Sequence, residues 1–352
     1  MIFLPSNKSS RPGRSHWLST RTSRNSMPFN AQRRKLLLAG GSALIAASCS
    51  RNSFPGNPSR RSRTASAAEA NTPARSIKHA YGETIIPANP QRVAVVELST
   101  MEASMALGIE PIAAPQLAID NLSHLPKLDG ETINTGAPNS PNLEMLVRAQ
   151  PDLILTSQFV TNDDTYQMLS RIAPAIALDI QDFTDWKKAA RLCGEVFGKE
   201  AEVQKLENDY AARLKELRST SGTDLANTQA SVAVVFSGRI AVRGSQSFSG
   251  TVLEDVGVSR PSKQDQARGL LVSMETLEDI DGDMLFLLQP ESQTEIAKEI
   301  RKANEATQAN PLWSKLNVVQ NNRVYSVDAH WYGANYLAAN RILDDLERYC
   351  CQ

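Results

Sequence analysis

Residues 141–157 read PNLEMLVRAQPDLILTS, and residues 272–288 read VSMETLEDIDGDMLFLL. In each stretch a glutamate, Glu144 or Glu275, stands eight residues ahead of an aspartate, Asp152 or Asp283. An apolar run, LILTS or MLFLL, follows directly. A helical turn feeding a strand covered on both faces has this pattern, because such a strand reads as continuous hydrophobe. The copies lie 131 residues apart, which predicts two similar lobes with a cleft between them.

The flanking sequence repeats in the same order. Val93-Ala94-Val95-Val96 is echoed by Val232-Ala233-Val234-Val235, and Met105-Ala106-Leu107-Gly108-Ile109 by Leu253-Glu254-Asp255-Val256-Gly257-Val258. A strand over 92–96, a helix over 100–107 ended by Gly108, a strand over 109–113, a strand over 152–156, a helix over 164–172 and a strand over 175–178 make alternating βα units. A helix over 185–197 then closes on Gly198, and a 22-residue stretch, 199–220, carries one apolar stripe through Ala201, Val203, Leu206, Tyr210, Leu214 and Leu217. The expected architecture is therefore α/β, with two Rossmann-like lobes, residues 77–198 and 221–352, joined by a single long helix.

The chain has 352 residues and no formal net charge, but the charge is unevenly distributed. Residues 1–76 hold 13 Lys/Arg and one acid, Glu69; the rest hold 25 Lys/Arg against 37 Asp/Glu, a net of −12. An acidic working portion argues against nucleic acid as a partner, since phosphate neutralisation requires basic surface. The basic leader has its own pattern. Gln32-Arg33-Arg34-Lys35 opens an apolar run through Ala47, too short to span a bilayer, so residues 1–49 read as a signal peptide. The paired arginines are similar to a twin-arginine export signal, with a Sec-type basic region as the alternative. Met27 offers a second start codon behind an unusually long leader. Cys49 resembles a lipobox cysteine, although Ala46 departs from that pattern; cleavage near Ala65-Ser66-Ala67 would instead release a soluble periplasmic protein. Residues 50–76 lack apolar periodicity and read as a disordered tether.

The segments around 90–114, 142–157, 247–261 and 272–288 together resemble the iron-siderophore-binding proteins of ABC importers, a group that also includes haem and vitamin B12 binders. The resemblance covers roughly residues 77–352. It implies a two-lobed fold of the class III periplasmic binding protein type, little hinge closure, a ligand cleft, and delivery to a permease dimer in the inner membrane. It also implies that Glu144 and Glu275 dock on arginines of that permease, one from each lobe. Two like charges on separate lobes suit a two-fold partner and steer its approach. A favourable position at a helix N-terminus is the plain alternative for both residues, and the two readings can hold together.

Open α/β sheets bind ligands beyond the C-terminal ends of their strands. That places Ser99, Thr100, Gln158 and Phe159 on the first lobe's side of the cleft, and Arg239, Arg243, Trp331 and Tyr332 on the second's. Aromatic walls with one or two forked guanidinium donors suit a bulky, partly apolar, anionic ferric complex. Arg239 and Arg243 share a face if SGRIAVRGS is a hairpin, while Tyr336 reads as core of the last helix. So few cations favour hydroxamate or mixed citrate-hydroxamate ligands over triscatecholates. No metal ligand set or resident cofactor is expected: only His124 and His330 fall within the lobes, and the siderophore holds the iron. His330 or a tyrosine keeps haem open as an alternative ligand, alongside vitamin B12. Cys193, Cys350 and Cys351 have no metal-ligand spacing, and Cys193 reads as core. An exported hydrolase is the alternative from another class. The chain lacks G-x-S-x-G, H-E-x-x-H and Walker motifs, leaving Glu97 and Glu102 as the acid/base pair such an enzyme would use. The expected protein is a monomeric, non-enzymatic binder in the periplasm or on the outer face of the cytoplasmic membrane.

Overall fold

The computed structural model describes residues 74–116, 123–128, 131–137, 140–220, 225, 227–236 and 238–350. Cys49 and the whole predicted leader lie outside the described residues. The chain opens with an antiparallel hairpin, Arg75–His79 with Gly82–Ile86. Arg75 and Ser76 are thus already in a strand, so the tether expected to run to residue 76 stops short of it. Arg75 donates to the carbonyls of Glu195 at 3.3 Å and Val196 at 2.6 Å, which a helix C-terminus leaves without intrahelical partners.

The first sheet has five parallel strands in the order Ile133–Asn134, Ala113–Ala114, Val93–Val95, Leu153–Ser157, Ala175–Leu178. The chain starts in the middle, winds to one edge and returns to the other, so the strand order reverses beside Val93–Val95. The second sheet runs Leu270–Val272, Arg239–Val242, Ala230–Phe236, Met284–Leu288, Val324–Val327. There Ala230–Phe236, Met284–Leu288 and Val324–Val327 are parallel, while the other two strands are antiparallel additions. The two apolar runs that opened the sequence are the strands Leu153–Ser157 and Met284–Leu288, buried along their whole length.

The aspartate of each copy has the same task. Asp152 accepts the backbone N–H groups of Gln91 at 2.8 Å and Arg92 at 2.9 Å, and Asp283 accepts that of Gln229 at 2.8 Å. Each carboxylate thereby registers the start of its lobe's central strand against the start of the next. The helix Leu98–Ala106 and its counterpart Phe248–Val256 are each followed by a glycine in the left-handed region, Gly108 at φ 74° and Gly257 at φ 96°. The next residue's N–H then returns to the helix, Ile109 to Ser104 at 3.0 Å and Val258 to Leu253 at 2.9 Å, the geometry of a glycine-terminated helix.

The helix Trp186–Phe197 packs beside the 21-residue helix Glu200–Thr220, with Gly198 turning the chain between them. One apolar cluster runs from the first sheet through these helices into the second. Its centre is aromatic: Trp186 meets Phe248, Tyr336 and Tyr210 edge-on at 5.4, 4.8 and 5.6 Å, and its indole N–H donates to Thr251 Oγ1 at 3.0 Å. The final helix, Tyr336–Cys350, is fastened to the long helix by Arg213, which bonds the Asn340 carbonyl at 3.0 Å and Asp344 at 2.6 Å.

Candidate functional site: the ends of the strands

In the second lobe, Ala230–Phe236 turns tightly into Arg239–Val242, with Phe236 opposite Arg239 and Gly238 at φ 74°. Arg239–Val242 is thus the second strand of a hairpin. Arg239 is exposed beside the turn, while Arg243 is drawn in at the far end by its N–H bond to the Val232 carbonyl at 2.8 Å. Gly244 follows, where a Cβ would collide with the backbone of Gln266 and Gly269, so two chain segments meet directly behind Arg243.

The Arg243 guanidinium stands 4.9 Å from the centre of the Tyr332 ring. Arg243 Nε and Tyr332 Oη are both buried without a hydrogen-bond partner among the described residues. Burial pushes the Tyr332 hydroxyl up to about 12, against the opposing pull of Arg243, so it remains a neutral donor through the physiological range. An unpartnered buried donor is costly unless something fills the position. Two donors fixed together by stacking offer a pair of hydrogen bonds to one oxygen-rich group.

Tyr332 ends the single turn Ala329–Tyr332 that follows the strand Val324–Val327. Its two predecessors point the other way. Trp331 was expected in the cleft wall, but it is fully buried, stacked on Phe286 at 4.3 Å, with its N–H on Asp345 at 2.8 Å. The same carboxylate oxygen lies 2.8 Å from His330 Nε2. A large apolar ring with one donor found a core with one acceptor, so Trp331 is core and His330 is committed to Asp345.

The first lobe contributes less than its sequence implied. Ser99 and Thr100 are buried under Glu97, whose carboxylate accepts their N–H groups at 2.7 and 2.6 Å and so caps the helix Leu98–Ala106. Burial pushes the Glu97 carboxyl up, against the pull of those two N–H groups. Neither hydroxyl faces solvent, because the expected loop is already the first turn of a covered helix. Gln158 and Phe159 are half-buried at the end of Leu153–Ser157. Gln158 donates to Asp179 at 2.6 Å, and Phe159 meets Phe183 edge-on at 5.2 Å. Asp179 and Phe183, which follow the neighbouring strand Ala175–Leu178, were missed; their position after a strand beside the reversal of strand order was the available signal.

Glu144 and Glu275 are both exposed. Glu144 lies in the first turn of Leu143–Ala149, which Asn142 caps through the Met145 N–H at 3.2 Å. Glu275 precedes the short turn Leu277–Ile280, and the Ser273 hydroxyl holds its carboxyl below the usual range. Among the described residues no group of three or more His, Cys, Asp or Glu is arranged to hold a metal. A recess of about 720 Å³ lined by Gln229, Asp283, Asn317 and Arg323 lies at the strand starts of the second lobe, the end opposite the turn Ala329–Tyr332.

A periplasmic binding protein family model matches residues 93–330, from the first central strand to the turn after the last. The chain belongs to the periplasmic binding protein family. Among its relatives, the probable siderophore-binding lipoprotein YfiY of Bacillus subtilis is 32% identical over 289 residues, covering 78% of this chain and 87% of that protein. The Fe(3+)-citrate-binding protein YfmC of the same organism is 31% identical, over 72% of this chain and 78% of its own. Among solved structures, Staphylococcus aureus SirA complexed with staphyloferrin B superposes with a TM-score of 0.64 at 25% identity, covering 78% of this chain and 98% of that one. The family match includes Glu144, Arg243 and Glu275 and stops two residues before Tyr332.

Proposed function

We propose that this chain is the substrate-binding component of an ABC importer, which takes a ferric siderophore between its lobes and delivers it to a permease dimer. The observation that carries this reading is the stacked Arg243–Tyr332 pair with its two unpartnered buried donors, Tyr332 lying just past the C-terminal end of the strand Val324–Val327, the end at which open α/β sheets bind ligands. A ferric siderophore presents anionic and carbonyl oxygens around an already coordinated metal, so the protein needs outer hydrogen-bond donors and no metal ligands of its own. Arg243 and Tyr332 supply those donors. Arg239 on the exposed hairpin turn, and Gln158 and Phe159 on the first lobe, form the rest of the contact surface. The names of YfiY, YfmC and the SirA complex, all concerned with siderophores or ferric citrate, support the same ligand class.

The protein works by binding and release, without chemistry. Of Glu97 and Glu102, the acid/base pair a hydrolase would need, Glu97 caps a helix through two backbone N–H groups and Glu102 is buried with Oε2 accepting from Ala334 and Asn335. His330, the histidine a haem reading would call on, is engaged by Asp345. Glu144 and Glu275 form the permease contact, and export by the leader, with Cys49 as a lipid anchor, keeps the monomeric protein at the outer face of the cytoplasmic membrane.

Quenching of tryptophan fluorescence by a panel of ferric hydroxamate, catecholate, citrate, haem and vitamin B12 tests the ligand. Saturable quenching at sub-micromolar concentration by haem or vitamin B12 alone would overturn it. For the handover, Glu144→Ala combined with Glu275→Ala should abolish uptake while ligand affinity is retained. Lost affinity in the double variant would move both residues into the cleft.

A further inference from the structure

The helix Leu98–Ala106 is covered on every side: Ser99 through Met105 are each at most 5% exposed. A helix without a solvent face lies inside a core, and here it lies between the lobes. Glu102, in its middle, is fully buried. Burying a carboxylate is costly unless donors meet it. Here donors from the other lobe meet Oε2, while Oε1 has no hydrogen-bond partner among the described residues. Oε2 accepts the backbone N–H of Ala334 and the Asn335 side-chain amide at 2.7 Å, 232 and 233 residues along the chain, and lies 3.4 Å from His124 Nε2.

Asn335 passes the constraint on, because its Oδ1 accepts the Ala338 N–H at 2.9 Å and so caps the final helix. Gly333 fits closely between them, since a Cβ there would stand 3.2 Å from Glu102 Oε2 and closer still to the Ala338 side chain. The turn Ala329–Tyr332 is held at its other end as well, where the Ser123 hydroxyl of the first lobe donates to Asp328. The segment that carries Tyr332 is therefore gripped on both sides by first-lobe residues, and Arg243 rests on Tyr332.

We propose that Glu102 is an inter-lobe tether and a positioning residue for the ligand site: by ending the turn Ala329–Tyr332 from the opposite lobe, it sets where Tyr332 and Arg243 stand in the cleft. The positioning half rests on the ligand reading of those two residues, and the tether half does not.

Hydrogen–deuterium exchange on the full-length protein reads the tether directly. Glu102→Ala should speed exchange across residues 329–340, whereas Glu102→Gln, whose amide oxygen can accept both donors, should keep it near the native rate. Ligand binding is read separately, by tryptophan quenching with ferric citrate and ferrioxamine B. Affinity for whichever probe binds should fall about tenfold in Glu102→Ala and recover in Glu102→Gln, because loosening a preorganised contact costs affinity. If Glu102→Ala does not fold, Asn335→Ala removes one of the two donors and should give the same exchange change on a smaller scale. Native exchange across 329–340 in a folded Glu102→Ala or Asn335→Ala protein would overturn the tether. Faster exchange with unchanged affinity would overturn the positioning role. If neither probe binds the native protein, the ligand class is at fault, and exchange alone still decides the tether.

Discussion

The two ends of the sheets differ in kind. At the strand starts, the lobes match almost residue for residue: Asp152 holds Gln91 and Arg92, and Asp283 holds Gln229, each tying a central strand to its neighbour. At the strand finishes, nothing matches. The first lobe ends in Gln158 against Asp179 and Phe159 against Phe183; the second ends in Arg243 over Tyr332. The start of a strand is a folding problem with one good answer, a carboxylate that meets free backbone N–H groups. On the proposed function, the strand finishes face a ligand that presents a different surface to each lobe, so the repeat is kept where the chain folds and lost where it binds.

The largest effect should come from a residue that the sequence places in the cleft wall and the structure buries. Trp331→Ala should lower stability by about 3–5 kcal/mol, as loss of a buried tryptophan does, read as a drop in the midpoint of denaturant unfolding. An unchanged midpoint with lost ligand binding would return Trp331 to the cleft wall. Next, Arg243→Ala should weaken ligand binding by about 2 kcal/mol, roughly thirtyfold in Kd, with little change in melting temperature. Asp152→Ala should show the opposite profile, about 2 kcal/mol of stability lost for two charge-assisted bonds and ligand affinity kept. Asp283→Ala, with one such bond, should lose about half as much. If the two aspartate variants cost the same, the likeness of the strand starts lies in something other than these bonds.

Smaller effects sharpen the contrast. Tyr332→Phe removes a buried hydroxyl that has no partner among the described residues, so melting temperature should hold or rise while affinity falls about fivefold. Equal affinity in Tyr332→Phe would mean the hydroxyl does not face the ligand. Cys193 is inert by the same logic: burial pushes its thiol up to about 12, partly offset by the Ser104 hydroxyl. It should resist thiol reagents at pH 8 in the native protein and react only on unfolding. Modification of native Cys193 at the rate of an exposed thiol would show that the inter-lobe core opens.

Legibility in the sequence followed the physics of each feature. The strands at Leu153–Ser157 and Met284–Leu288 announce themselves because burial on both faces forces an unbroken apolar run. The long helix was legible from its stripe and from Gly198, and it begins one residue later than expected, at Glu200. The hairpin at Gly238 was in view only as a condition for Arg239 and Arg243 to share a face. The second sheet's edge strand Leu270–Val272 was not, since its pairing with Arg239–Val242 depends on a turn that brings Gly269 against Gly244. Ser99 and Thr100 misled because a glutamate cap is rarer than a serine cap, and the helix begins two residues earlier than its apolar pattern. Glu102 was in view only as half of an acid/base pair. A single acid inside LSTMEASMA, a stretch of otherwise small and apolar residues, was the signal that it is buried.

What the sequence by itself determined is whatever depends on neighbours in the chain: two βα lobes in repeat, a helix between them, a basic N-terminal stretch ahead of an acidic remainder, and a pair of glutamates at equivalent places. Local periodicity and capping carry that information, because each acts over a few residues. Only the tertiary structure decided which of the candidate side chains are core. Trp331 and Tyr332 are adjacent in the chain, and a single tight turn sends one into the core and the other onto Arg243. The carboxylate that steadies that turn is more than 200 residues away, in the other lobe, at Glu102. Direction at a turn and contact across a cleft are set by packing between distant segments, and no pattern in a single stretch of sequence records them.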